Sequence, residues 1–128
     1  MSASSIEGIS PFFIVANVAD AIDFYCDQLG FSPTYAEPKD EPFFAIVARG
    51  SAMIFLKDVG LEPLPNSRRS AEARWDAYLY VPDPDALAAE FAAREVAFSR
   101  PLADTEEGLR GFEVTDGDGH VLFFGRPR

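Results

Sequence analysis

Three pairs of residues in this chain stand 66 positions apart, and each pair plays one part twice. Val15 and Val81 each end an apolar stretch. Asn17 and Asp83 follow them, and the side-chain oxygen of either residue type caps the first turn of a helix. Tyr25 and Phe91 fall on the inner faces of the helices so started. Two copies at so long a spacing mark a duplicated module rather than a solenoid.

The segments between these markers fill in the module. Ser10 to Val15 reads as a strand, and Val18, Ala21, Ile22, Tyr25 and Leu29 recur at helical spacing until Gly30 stops the helix. Phe31–Ala36, Phe43–Ala48 and Ala52–Lys57 read as three strands, the last two joined by the tight turn Arg49-Gly50-Ser51. The second copy runs as strand Trp75–Val81, helix Pro84–Arg94, and strands Val96–Arg100, Leu109–Thr115 and His120–Gly125, with an acidic loop at Pro101–Gly108. The order predicts an α+β fold: two tandem βαβββ modules whose curved sheets surround a central cleft. Module one covers about 8–58, a connector about 59–73 and module two about 74–126, all within one domain spanning 1–128. Asp58 to Ala73, with its prolines and the Arg68-Arg69 pair, reads as a long connector acting as a mobile flap.

Composition narrows the function. A hydrophobic content of 48% supports a packed core. No apolar run approaches the ~20 residues that span a bilayer. Met1 to Ser5 lacks the basic and apolar regions of a secretion signal. Cys26 is the only cysteine, which fits a reducing cytoplasm. A net charge of −10 argues against nucleic acid and anionic membranes as partners and is compatible with a cationic one.

Alternation along the strands assigns their faces. In Trp75–Val81 the small aliphatic residues Ala77, Leu79 and Val81 suit packing under a helix, whereas Asp76, Tyr78 and Tyr80 are polar or aromatic and point elsewhere. Phe12 shares a face with Ser10 and Ile14, Phe55 with Met53, and Phe123 with Val121. Arg110 and Glu113 face opposite sides of their strand, so only one can enter the cleft. The expected ligand-binding set is Phe12, Phe55, Asp76, Tyr78, Tyr80, Arg110 and Phe123, an apolar concavity with few polar groups, as small-molecule sites are. The competing expectation is that these rings fill the space themselves.

Val15-Ala16-Asn17-Val18, then Ile22-Asp23-Phe24-Tyr25 and Leu29-Gly30-Phe31, resembles the opening signature of the vicinal oxygen chelate superfamily, which contains glyoxalase I, extradiol dioxygenases and bleomycin-resistance proteins. Gly108-Leu109-Arg110-Gly111-Phe112 leading into Asp116-Gly117-Asp118-Gly119 resembles its closing signature, with Gly117 where proline is usual. The resemblance implies a divalent metal held by His and Glu residues on four strands. Those positions fall on Ser10, Phe55, Asp76 and Phe123, a set without enough donor atoms, so no metal and no other cofactor is expected. His120, the only histidine, is expected to be a surface residue near the sheet edge. Asp116 and Asp118 are expected to fix turn geometry, and Cys26, with no histidine beside it, is not expected to be a nucleophile.

Two readings of function follow. One is a metal-free binding protein, similar in character to bleomycin-resistance proteins, which sequesters a flat cationic antibiotic without altering it. The other is an enzyme of the same superfamily, a lyase, isomerase or dioxygenase using a metal or substrate-assisted chemistry, with Asp76 and Tyr78 as acid–base candidates. Open sheet edges predict a two-fold homodimer. Pro11 matches a proline of the bleomycin-resistance proteins, whose dimers exchange N-terminal strands, so the resemblance implies an exchanged arm here.

Overall fold

The computed structural model describes residues 5–64, 66, 69–70 and 74–128. The expected flap at 58–73 therefore falls partly outside the described residues, Arg68 included. Module one contains β1 (Phe12–Ile14), α1 (Val18–Asp23), β2 (Ser32–Glu37), β3 (Phe44–Arg49) and β4 (Ala52–Lys57). Module two contains β5 (Ala77–Tyr80), α2 (Pro84–Ala93), β6 (Arg100–Asp104), β7 (Leu109–Thr115) and β8 (Val121–Pro127). Each set of four strands makes one mixed sheet, in the orders β1-β4-β3-β2 and β5-β8-β7-β6. The α+β architecture and the duplicated strand order are as expected.

The repeat extends to single hydrogen bonds. Asn17 accepts from the Asp20 amide and Asp83 from the Ala86 amide, the same step into each helix. The Val15 amide donates to the Lys57 carbonyl, and the Val81 amide donates to the Gly125 carbonyl. Tyr25 and Phe91 are both fully buried. Pro84 occupies the first turn of α2, where its missing N–H costs nothing.

The first strand is shorter than expected, Phe12–Ile14, the last runs on to Pro127, and three further boundaries differ. The first helix is α-helical only to Asp23 and continues as a π-helical turn, Phe24–Gln28, before Gly30 reverses the chain at φ +73°. Trp75 and Asp76 precede β5 rather than belonging to it. The strand expected at Val96–Arg100 forms instead at Arg100–Asp104, in the stretch assigned to a loop. Val96 is buried, and its amide closes the end of α2 on the Phe91 carbonyl, so the chain reaches β7 only later. Pro101 is tolerated because β6 is an edge strand.

α1 packs on β3 and β4, and α2 packs on β6, β7 and β8, each on its own sheet. The faces beneath the helices share one core, with Phe13, Val47, Ile54 and Leu56 from module one and Phe112, Val114, Leu122 and Phe124 from module two. The modules meet on this helical side. Arg49 pairs bidentately with Glu90 at 2.8 Å, and Arg94 reaches the Asp27 carbonyl at 3.1 Å.

The tightest inter-module contact lies in the β7–β8 turn. Asp116 accepts from the Tyr25 hydroxyl at 2.7 Å and from the amides of Asp118 and His120, and it lies 2.9 Å from His120 Nδ1. The His120 ring stacks on Phe13 at 4.2 Å. His120 is thus buried, not a surface residue as its place beside the turn suggested, because a strand from the other module covers it. Burial alone would lower its pKa, but the Asp116 bond and charge outweigh this and raise it above 6.5. The Asp116 carboxylate fixes the turn, whereas the Asp118 carboxylate accepts the Ala16 amide across the module boundary.

Candidate functional site

The opposite sheet faces carry the expected ring residues. Strand register organises them into two equivalent rows. Across sheet one, Phe12 pairs with Phe55, Phe55 with Ile46, and Ile46 with Tyr35. Across sheet two, Tyr78 pairs with Phe123, Phe123 with Glu113, and Glu113 with Arg100. Phe55 and Phe123 therefore occupy the same place in the two modules. Phe12 and Phe55 are brought together, as are Tyr78, Tyr80 and Phe123. No ring contact among the described residues joins one group to the other. Because the modules meet on their helical sides, the rows face away from that junction.

Row one is apolar. Phe44 packs edge-on against Phe55 at 5.7 Å, Phe12 lies 6.2 Å from Phe55, and Tyr35 meets Phe44 at 6.0 Å. Phe12 is 53% exposed and Met53 42%, so the face is only partly covered.

Row two combines rings with a charge. Trp75 stacks on Phe123 at 4.1 Å, and Tyr78 lies 5.5 Å from the same ring. The Phe123 ring lies over two paired glycines. A Cβ on Gly111 would come 2.6 Å from Phe123 Cζ, and one on Gly125 would come 2.5 Å from Phe123 Cε2. Beside this stack Glu113 is fully buried. It accepts from Trp75 Nε1 at 3.0 Å and from Arg74 Nε at 3.3 Å, and it forms an ion pair with Arg74 Nη2. A buried carboxylate is tolerated only with such partners. Burial, and to a smaller extent the neighbouring Tyr80, raises the Tyr78 pKa above 10.

Two expected residues stand elsewhere. Arg110 does not enter the ring face. It pairs bidentately with Asp85 in the first turn of α2, at 2.8 Å, and reaches Asp104 at 3.2 Å. Arg110 has the same strand parity as Phe112 and Val114, whose apolar side chains belong under the helix, so Glu113 takes the other face. That signal was present in the sequence. Asp76 accepts from the Val121 amide at 2.7 Å and from Asn66 Nδ2, closing the end of β8. Trp75 was missed because alternation placed it with Ala77, yet it precedes β5 and is free of that constraint. Tyr80 extends the ring group at 4.8 Å from Tyr78 but is 83% exposed.

Two cavities lie away from both rows. One of about 750 Å³ lies among Ala16, Asp58, Gly60–Leu64, Gly117 and Asp118. One of about 460 Å³ lies between Pro82–Asp85 and the side of Arg110, Arg126 and Arg128.

The residues at the superfamily's metal positions do not fit a divalent ion. Phe55 and Phe123 have no donor atom, and the Asp76 oxygens already accept from Val121 and Asn66. Asp116, Asp118 and His120 bring potential ligand atoms within 4.8 Å of one another, but those of Asp116 are engaged with Tyr25, His120 and the turn amides.

Comparison with known proteins agrees with the fold. A structure of a bleomycin-binding protein from Streptomyces verticillus, complexed with copper(II)-bleomycin, superposes with a TM-score of 0.73 at 23% identity, covering 98% of this chain and 100% of that one. TioX from Micromonospora sp. ML1 gives 0.73 at 21% identity, covering 94% and 98%. TnmS3, an antibiotic-binding protein from Streptomyces sp. CB03234, gives 0.65 at 23% identity, covering 100% and 99%. None of the curated proteins matches. The family model for the Glyoxalase/Bleomycin resistance protein/Dioxygenase superfamily matches residues 8–124, and the chain belongs to that superfamily.

Proposed function

We propose that this protein binds a flat, partly aromatic, positively charged small molecule and sequesters it unchanged. The observation that carries this reading is row two, where Trp75 and Tyr78 lie against the buried Phe123 ring and form a ring platform beside the buried carboxylate of Glu113. Aromatic faces attract both rings and cations, at about 0.5–2 kcal/mol for each cation contact. The net charge of −10 favours capture of a cation, an effect that salt weakens. Similar folds whose structures are those of bleomycin-binding and antibiotic-binding proteins make an antibiotic the leading ligand class. The donor-poor metal positions favour binding without metal chemistry. The enzyme reading is weaker, because its candidate base Asp76 is committed to a backbone amide.

We place the protein in a reducing cytoplasm, which suits the lone thiol of Cys26. Among the described residues, no helix is long and apolar enough to cross a membrane. The working form is proposed to be a two-fold homodimer, in which row one of one protomer lies across from row two of its partner. Half-exposed Phe12 and Met53, with nearly fully exposed Ile6 and Ile9 ahead of β1, are the apolar surface such a partner would cover.

Calorimetry with bleomycin and simpler cationic aromatics, at low and high salt, tests the reading. We expect binding tighter than about millimolar, weakened by salt. Failure of every such compound to bind would remove the sequestration reading. Sedimentation at a single-chain mass of 14.0 kDa would remove the dimer.

A further inference from the structure

We propose that Glu113 is the counter-ion for the ligand's positive charge, and that Arg74 holds its place until the ligand displaces it. This inference rests on the binding reading above.

The duplication supplies an internal control. Glu113 and Ile46 hold equivalent places, each opposite the central phenylalanine of its row. Module one builds the same four-stranded sheet with isoleucine there, so the fold does not require a carboxylate. A fully buried carboxylate is costly to desolvate unless a cation accompanies it. Its place in module two therefore calls for a reason beyond the sheet.

The chain supplies a cation, but from an irregular segment. Arg74 lies outside β5, just after the connector, and its side chain is 18% exposed where Glu113 is 0% exposed. Arg74 thus lies on the solvent side of the pair. A guanidinium on an irregular segment can swing into water and recover hydration there, whereas Glu113 is held within β7. Trp75 donates to Glu113 and also stacks on Phe123, so the carboxylate sits at the edge of a ring platform. A planar cation lying on that platform directs its charged edge at Glu113, where it must replace Arg74. The ligand class is accordingly a fused aromatic ring system with an amidinium-like or protonated ring nitrogen, not a neutral aromatic.

The test compares proflavine, a planar tricyclic cation, with phenazine, a neutral tricycle of similar shape, by fluorescence and calorimetric titration. Wild type, Arg74→Gln, Glu113→Gln and the double variant are compared. Glutamine at 74 keeps an N–H donor near Glu113 but removes the competing charge, and the double variant replaces the ion pair with neutral groups of similar size. We expect Arg74→Gln to tighten proflavine about tenfold and to leave phenazine unchanged. Glu113→Gln should reduce proflavine affinity to that of phenazine, and the double variant should not discriminate between them. Proflavine binding that is unchanged or weaker in Arg74→Gln overturns the exchange while sequestration stands. If neither dye nor bleomycin binds any of the four proteins, the binding reading and this inference fall together.

Discussion

The two sheets have the same strand order, and β1-β4-β3 repeats the register of β5-β8-β7, yet their ring-bearing faces differ, three matched places among them. Phe44 and Lys57, paired across β3 and β4, correspond to Gly111 and Gly125, paired across β7 and β8. Ile46 corresponds to Glu113. In module one the large side chain at Phe44 meets Phe55 edge-on, at an interplanar angle of 83°. In module two the glycine pair clears space for Phe123 to lie down, and Trp75 stacks on it at 24°. The sheet tolerates either arrangement because the helix-covered faces supply the core. The difference teaches that one sheet architecture accepts two arrangements on this face, and that module two carries a ring stack and a charge there.

The largest test of this contrast removes the cation that makes the buried carboxylate tolerable. Among the described residues, Arg74→Ala leaves Glu113 with Trp75 Nε1 as its remaining side-chain donor. Urea denaturation should show a loss of about 3–5 kcal/mol. Adding Glu113→Ile, which makes row two match row one at that place, should restore most of it. A double variant as unstable as Arg74→Ala alone would mean that the sheet itself requires the charge.

A smaller effect is expected at the glycine pair. Gly111→Ala places a Cβ 2.6 Å from Phe123 Cζ and closer still to the Phe124 carbonyl oxygen, so the β7–β8 backbone must shift as well as the ring. The expected cost is about 1–3 kcal/mol, typical of overpacking. Trp75 is the only tryptophan, so its fluorescence reports the loss of stacking directly. An unchanged emission spectrum would show that the platform does not depend on the glycines.

The smallest effect contrasts the outward faces with the junction, where titration rather than packing is at stake. His120 titrates above 6.5 in the fold, where the Asp116 bond overcomes the effect of burial. Its contribution is full below 6.5 and is lost as pH rises through the raised value. Asp116 titrates below 3.8; burial opposes this, but the His120 bond and charge prevail. Its contribution is full above 3.8 and is lost only as pH falls through the lowered value. Asp76 and Asp118 also favour the charged imidazole. The junction should therefore be strongest in mildly acid solution. Melting temperature should fall from about pH 6 to about pH 8 more in wild type than in His120→Asn. Equal slopes would show that His120 carries no charge at the junction.

By itself, the sequence determined the α+β class, the duplicated strand order, both N-caps, and the alternation that puts Phe12, Phe55, Tyr78 and Phe123 on ring-bearing faces. These depend on neighbours a few residues apart, whose periodicity and capping chemistry are local. Glu113 rather than Arg110 on that face was also legible, from Phe112 and Val114, but needed the side of the helix to be weighed. What only the tertiary structure decided depends on residues far apart in sequence. His120 is buried because Phe13 covers it from the other module. Asp76 turns to the Val121 amide, 45 residues away, and so serves the sheet rather than the ring face. Trp75 joins Phe123 because β5 begins only at Ala77, leaving the indole free to cross to the face that alternation denied it. Period-2 alternation binds a side chain only while its backbone is paired, and pairing is a property of the assembled sheet.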